Sequence, residues 1–506
     1  MKVLLINPNR FYPRGAKEVR LDLPLGLLSL AAVLEEAGVE VAILDCLISP
    51  ESAVTEVEGG WRHGLADDLF IRRLAAEAPE LVGLTCPFTA QLPSCLAAAR
   101  LIKSVRPDLF VLAGGPHFSV EKAEFLLTHL EIDGFVRAEG EEPLRNLARH
   151  WQTPAFAETP GLVLRTLGSD GKAVIRDNPS QWLEPLDSLP LPAYHHIDMD
   201  LFFRFQEQGF HSRGGRRERT VSLITSRGCP FDCSFCSIHL HMGKRVRAHS
   251  AEYVVNHIAH LVRNYRVRHL QFEDDNLTYK PSRILRITEL IRERGLAITW
   301  DTPNGVRADA LNRPLLEAMR ASGCVGLILG TESGDQNTLD TIIRKKLDLK
   351  EVLKVAQWCH EIGLPLKSFF VIGLPGENLE AIDRTLEFAH HLYDRFDVTP
   401  LLNVATPLIG TPLYDTVIGQ GLLARELTPE SLATGTQAQG GAGMIRTPEF
   451  GPEEIAAASR KLHQRIRKTR LNKILRHPLK YRREIVAVLF DPARLLGYLQ
   501  RWFRAA

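Results

Sequence analysis

Three of the chain's eight cysteines, Cys229, Cys233 and Cys236, fall in the short stretch Thr225-Ser226-Arg227-Gly228-Cys229-Pro230-Phe231-Asp232-Cys233-Ser234-Phe235-Cys236. Thiolates this close in sequence converge on one metal centre. Tetrahedral zinc takes four ligands and iron–sulfur clusters usually take four cysteines, so the set is one short. Three readings follow: zinc borrowing His239 or His241, three structural thiols, or a four-iron cluster with one open iron where a cosubstrate coordinates. Gly228 and Pro230 suit a tight loop, and Phe235 places an apolar face beside the metal. The run Val221-Ser222-Leu223-Ile224-Thr225 reads as a buried strand, so the thiols leave on a strand-exit loop.

The C-x3-C-x2-C spacing, with Phe235 before the last cysteine, resembles the cluster motif of the radical S-adenosylmethionine superfamily. That resemblance implies a 4Fe-4S cluster held by Cys229, Cys233 and Cys236. It also implies S-adenosylmethionine chelated to the open iron through its amino and carboxylate groups, and an electron donor such as flavodoxin or ferredoxin for its reductive cleavage to a 5'-deoxyadenosyl radical.

The elements that must position this loop are legible as alternating strands and helices. Strands are expected at Lys2 to Ile6, Val39 to Leu44, Leu81 to Thr85 and Leu109 to Ala113, with helices from Pro24 to Gly38, Asp67 to Ala78 and Leu92 to Val105. Such alternation predicts a doubly wound parallel sheet, Rossmann or flavodoxin-like, over residues 1–150, with ligands beyond the carboxyl ends of its strands. Those ends carry Asn7, Asp45-Cys46, Thr85-Cys86-Pro87 and Gly114-Gly115-Pro116-His117. With Pro24-x-Gly26 opening the first helix and Glu139-Gly140-Glu141 further on, this half resembles the cobalamin-binding domain that precedes the barrel in one branch of the superfamily. The resemblance implies cobalamin beside Asn7, Thr85, Gly114, Gly115 and His117. The Asp-x-His-x-x-Gly sequence of mutase-type domains is missing, so the implied form has no histidine on cobalt, and His117 is read as a turn residue. Cys46, Cys86 and Cys95 admit a rival, the second cluster of a methylthiotransferase, but are read as buried apolar side chains.

Residues 151–215 read as a connector containing a hairpin, Gly161 to Arg165 and Ala173 to Arg176, and ending in the basic run from Arg213 to Arg219. Residues 216–440 read as six βα units, a partial TIM-like barrel whose chemistry belongs at the carboxyl ends of its strands. Strands two to six are expected at Val267 to Phe272, Ala297 to Trp300, Val325 to Gly330, Pro365 to Ile372 and Val398 to Val404. Behind them come Glu273-Asp274-Asp275-Asn276, then Arg307, then Gly330-Thr331-Glu332-Ser333-Gly334, then Gly373-Leu374-Pro375-Gly376-Glu377, then Thr406 to Tyr414. The family resemblance gives Asp274 or Asp275 the S-adenosylmethionine ammonium, although Gly-Gly-Glu is the family's common form there. It gives Glu332 and Ser333 the ribose, and Gly373 and Gly376 the adenine side. Arg307 offers a fork for a carboxylate.

The net charge of +2 hides a basic tail: between Arg460 and Ala506 fourteen Lys and Arg face only Glu484 and Asp491. Within the extension at 441–506, helical stretches are expected at Glu484 to Phe490 and Ala493 to Phe503, with peripheral contact to an anionic membrane as one use. No apolar run is long enough to span a bilayer, and uneven cysteine spacing argues against a secreted disulfide framework, so a cytoplasmic location is expected. The combined expectation is a cobalamin-dependent methyltransferase acting on an unactivated carbon of a small-molecule or lipid-like substrate, with radical cyclisation or rearrangement as the alternative. A cobalamin sensor would leave the cysteine loop unexplained. A tRNA methylthiotransferase would carry an RNA-binding β-barrel where this tail reads as helical, so no nucleic-acid partner is expected.

Overall fold

The computed structural model describes residues 1–14, 20–168, 171–210, 219–437, 443–479 and 482. Two parallel sheets dominate it. In the first, β1 (Lys2–Asn7), β2 (Glu40–Asp45), β3 (Leu81–Thr85), β4 (Phe110–Gly114), β5 (Gly134–Val136), β6 (Leu162–Leu167) and β7 (Ala173–Asp177) lie in the order β2-β1-β3-β4-β5-β6-β7. The chain reverses direction across the sheet between β1 and β3, the position at which open α/β sheets bind ligands. The pairing of Asn7 with Asp45 and of Thr85 with Gly114 places these expected ligand-side residues along one carboxyl rim.

The hairpin expected within the connector exists, but β6 pairs antiparallel with β5, so this pair extends the N-terminal sheet to Asp177. Val163 and Leu164, on opposite faces of the strand, are fully or almost fully buried in two separate clusters, so both faces of the sheet are covered there. A three-stranded antiparallel sheet of Arg10–Pro13, Gly60–Gly64 and Ala53–Val57 sits beside the rim and was not expected from periodicity. Its strands are only four or five residues long, and their buried positions are Tyr12, Pro13, Gly60, His63 and Gly64, so they lack an apolar run to announce them.

The second sheet runs in chain order: β8 (Thr220–Leu223), β9 (His269–Phe272), β10 (Thr299–Asp301), β11 (Cys324–Glu332), β12 (Leu366–Ile372) and β13 (Thr399–Val404), all parallel. Intervening helices Ala251–Tyr265, Pro281–Glu293, Arg313–Ala321, Leu349–Ile362 and Leu379–Phe396 complete a partial barrel. Several of these helices start on side-chain caps, Ser250, Asn312, Asp348 and Asn378, each accepting from a backbone N–H of the first turn.

Beyond the barrel, helix Pro429–Gln437 packs against Arg10–Pro13 and Thr89–Gln91 of the N-terminal half. Helix Pro452–Arg476 lies along Leu379–Phe396, where Lys461 pairs with Asp383 at 2.7 Å and Lys473 with Asp397 at 2.7 Å. Part of the basic tail thus serves packing. The stretches at 484–490 and 493–503 and most of the basic run at 213–219 lie outside the described residues. No helix among the described residues is long and apolar enough to cross a membrane.

Candidate cofactor site

The cysteine loop leaves β8 through a short antiparallel pair, Ser226–Arg227 with Arg247–Ala248. Gly228 adopts φ +90, and a Cβ there would meet the Arg245 carbonyl oxygen at 2.4 Å, so only glycine fits the turn. Its N–H donates to Asp275 Oδ2 at 3.0 Å. Further along, the Ser234 N–H donates to the Ile343 carbonyl at 2.9 Å and the Ser234 carbonyl accepts from the Leu413 N–H at 2.9 Å. The loop is therefore tied to three strand ends of the barrel.

Cys229, Cys233 and Cys236 are each partly exposed and free of disulfides. Burial raises all three thiols, Cys236 to about 12, while Lys345 partly offsets this at Cys229 and Cys233. Among the described residues, these sulfurs do not gather within the 4.8 Å that a single ion demands of three ligands. Phe235 packs with Cys233 against the apolar cluster containing Ile343, Ile372 and Leu413, as expected of a water-excluding face.

The acidic and basic residues nominated around the barrel rim divide into two groups. Asp274 is buried and its carboxylate accepts from Thr225 Oγ1 at 2.7 Å, the Thr225 N–H at 3.2 Å and Ser226 Oγ, so it anchors the root of the loop. Asp275 faces the thiols, and burial pushes its carboxyl up to about 7. Of the two, Asp275 is the one whose charge reaches Cys229 and Cys236. Arg307 does not present its fork outward: it is bidentate with Asp309 at 3.0 and 2.7 Å, donates to the Lys345 carbonyl at 3.1 Å, and stacks over Phe231 at 3.7 Å. It braces the cysteine loop from below.

Glu332 sits on a register shift between β11 and β12 with φ +71, an irregularity that turns its side chain toward Lys345 at 3.1 Å. Ser333 is fully buried and bonds Thr385 Oγ1 at 2.8 Å, a turn-forming role. Gly373 and Gly376 both have positive φ, and a Cβ on either would meet the side chain of Ile455 or Ile342 at 3.3 Å, so the close neighbour there is protein. Glu377 closes this turn: Oε2 accepts from the Gly373 and Leu374 N–H groups at 2.8 Å each, while buried Oε1 has no partner.

At the N-terminal rim the polar groups are mostly neutral. Asn7 donates to Asp45 at 2.9 Å, and Asp45 caps Leu47 and Ile48. Asn7, Asn9, Arg10, Thr85, Gln91 and Ser94 line a cleft at the switch point. The buried Arg10 Nε lacks a partner, an orphan donor facing a ligand-binding rim. A Cβ on Gly114 would meet nothing within 4 Å, whereas on Gly115, with φ +103, it would strike the Cys86 carbonyl oxygen at 2.8 Å. The open space at Gly114 and the orphan Arg10 Nε are the features of this rim that suit a bound group. His117 is buried, its Nδ1 is 3.2 Å from Thr89 Oγ1, and burial lowers it to about 4, which makes it a turn residue. Cys46, Cys86 and Cys95 are buried in the same apolar core, as read from the sequence.

The two rims are joined at the cysteine loop. Arg227 bonds Glu139 at 2.9 Å and Glu141 at 2.6 Å, and Arg247 bonds both oxygens of Glu139 at 2.8 and 2.7 Å. Burial pushes Glu141 upward, but Arg227 more than offsets it and holds the carboxyl below the usual range. Helix Ile238–Met242, just past Cys236, packs against the Pro116–Ser119 turn. Sequence reading missed Arg227, Arg247 and Lys345. The signal available was charge placed beside glycine and cysteine in otherwise apolar surroundings.

Residues 223–389 match the family model of the radical SAM superfamily, and residues 23–148 match that of the B12 binding domain. The cytidylyl-2-hydroxyethylphosphonate methyltransferase of Streptomyces wedmorensis is 27% identical over 492 residues, which cover 92% of this chain and 89% of that protein. An uncharacterized methyltransferase of Pyrococcus horikoshii is 29% identical over 430 residues, 84% of each. Among solved structures, OxsB, a cobalamin-dependent S-adenosylmethionine radical enzyme with aqua-cobalamin and S-adenosylmethionine bound, superposes with a TM-score of 0.69 at 16% identity. The match covers 91% of this chain and 66% of that longer one, and shows the fold.

Proposed function

The chain belongs to the cobalamin-binding radical S-adenosylmethionine enzymes, and we propose that it transfers a methyl group to an unactivated carbon of a small-molecule or lipid-like substrate. Its cofactors are a 4Fe-4S cluster, S-adenosylmethionine and cobalamin. When bound, the cluster supplies an electron and an open iron, and cobalamin supplies a methyl carrier. Cys229, Cys233 and Cys236 would hold the cluster, with Asp275 placed for the cosubstrate's ammonium. The cleft from Asn7 to Thr85 with Gly114 would hold the corrin.

The observation that carries this reading is the junction. Arg227 and Arg247, flanking the cysteine loop, are locked onto Glu139 and Glu141 of the cobalamin-type half. With the rims so joined, a substrate carbon held between them would meet both a radical source and a methyl source. Arg307 and the Ser234 contacts fix the loop, and Phe235 excludes water on one side. A flavodoxin or ferredoxin is the proposed electron donor to the cluster.

The test is product accounting. Methyl transfer consumes two molecules of S-adenosylmethionine, leaving one S-adenosylhomocysteine and one 5'-deoxyadenosine. Anaerobic incubation of reconstituted holoenzyme with reductant, S-adenosylmethionine and a candidate substrate as methyl acceptor and hydrogen-atom donor is expected to form both in equal amounts. Formation of 5'-deoxyadenosine alone would replace methyl transfer with cyclisation or rearrangement.

A further inference from the structure

We propose that Glu35, His195 and His196 form a binding site for a borderline divalent transition ion such as Zn2+, strapping the first helix of the N-terminal half to the connector. Glu35 ends helix Leu25–Glu36, and the two histidines occupy the turn Tyr194–His196. Nε2 of His195 lies 2.8 Å from Glu35 Oε1, and Nε2 of His196 lies 2.9 Å from the same oxygen. All three donor atoms fall within 4.8 Å of one another, and the ring centroids are 4.4 Å apart. Two rings aimed at one oxygen already have the convergence that a shared ion requires.

The chemistry of the donors selects the ion. Two imidazoles with one carboxylate favour zinc and its neighbours in the transition series over magnesium or calcium, which take oxygen ligands. A three-residue set leaves a fourth position for water. His195 is 61% exposed at its side chain, so an ion can reach the site from solvent. The backbone is prepared for it, because the Ala193 N–H donates to the Leu28 carbonyl at 3.0 Å and pins the turn to the helix.

The position gives the strap a consequence. The same helix carries Ser29, which donates to Glu141 Oε1 at 3.1 Å, and Glu141 holds Arg227, two residues before Cys229. An ion at Glu35 would stiffen the element that orients the cysteine loop relative to the cobalamin-type half. This inference does not depend on the reaction assigned above.

The experiment uses holoenzyme with its cluster already filled, equilibrated anaerobically with Zn2+ and then passed over a desalting column. One zinc per chain is expected in the wild type, lost in His195→Asn/His196→Asn and reduced in Glu35→Gln. Zinc should raise the melting temperature of the wild type and leave that of the double variant unchanged, since an ion bound only to the native state stabilises it. With Cu2+ as probe, electron paramagnetic resonance should show hyperfine coupling to two imidazole nitrogens, absent in the double variant. Equal zinc content in wild type and double variant, or no zinc retained by either, overturns the proposal.

Discussion

At the carboxyl rim of the N-terminal sheet the polar groups are mostly amides and hydroxyls over an open glycine, whereas the barrel rim is crowded with charges that hold one another. Asn7, Asn9 and Gln91 each satisfy neighbouring groups and leave a smooth cradle. Asp274, Arg307 and the Glu332–Lys345 pair instead brace a single loop. The difference follows from the ligands: a large rigid ring is recognised by shape, while three soft thiolates must be held at fixed corners against their own burial. Near the cysteines, Asp274 and Arg307 make contacts that hold the loop.

The largest expected effect is at the ligands themselves. Cys233→Ala removes a sulfur for which no neighbour substitutes, and formation of 5'-deoxyadenosine is expected to fall to background while the fold persists. Iron analysis of the same preparation should show the cluster lost or depleted from about four irons per chain. Retained S-adenosylmethionine cleavage would break the assignment of the barrel rim.

Next comes the joint between the rims. Arg247→Met leaves the buried Glu139 carboxylate with Arg227 as its remaining cationic partner, so the loss should fall below the ~3–5 kcal/mol of a buried charge left with none. Denaturant unfolding should register that loss, and the double variant Glu139→Gln/Arg247→Met should recover part of it. Additive losses would show that the two groups do not act as a pair.

How much of this was visible in the chain differs between elements and contacts. Leu81–Thr85, Leu92–Val105 and Leu349–Ile362 fall where periodicity places them, because a buried strand or an amphipathic helix repeats its apolar residues locally. The three cysteines were legible for the same reason, their partners being one another. Arg307 was not, since its fork is closed by Asp309 and by carbonyls near Lys345 that only the fold brings near. Nor was the hairpin's place at the sheet edge legible, since which strand it joins is a question of topology. Asp274 and Asp275 are adjacent and chemically identical, and the turn that follows His269–Phe272 decides which one accepts from Thr225 and which from the Gly228 N–H.

A titration tests the support role at the barrel rim. Burial raises Glu377 to about 7, so the native state holds its proton where the unfolded chain has released it. The stability this contributes is complete below the carboxyl's unfolded value and is lost as pH rises through about 7. The decline should amount to on the order of 3 kcal/mol across that window. Glu377→Gln keeps an acceptor for the Gly373 and Leu374 N–H groups and cannot ionise, so its unfolding midpoint should lack this decline. An identical pH profile in both proteins would show that Oε1 has a partner in solution.

The smallest effects sharpen the N-terminal side. Gly115→Ala forces a side chain into φ +103 and against the Cys86 carbonyl, and strain of this kind costs about 1–3 kcal/mol. Gly114→Ala meets nothing within 4 Å, so its stability should stay within about 0.5 kcal/mol of wild type. If the cradle reads its cofactor by shape, the added methyl of Gly114→Ala occupies space meant for the ring and lowers cobalt per chain after reconstitution, without moving the melting temperature. Full cobalt loading in Gly114→Ala would shift the recognition onto the polar groups of the cleft, Arg10 foremost, and the two rims would then differ less than their linings indicate.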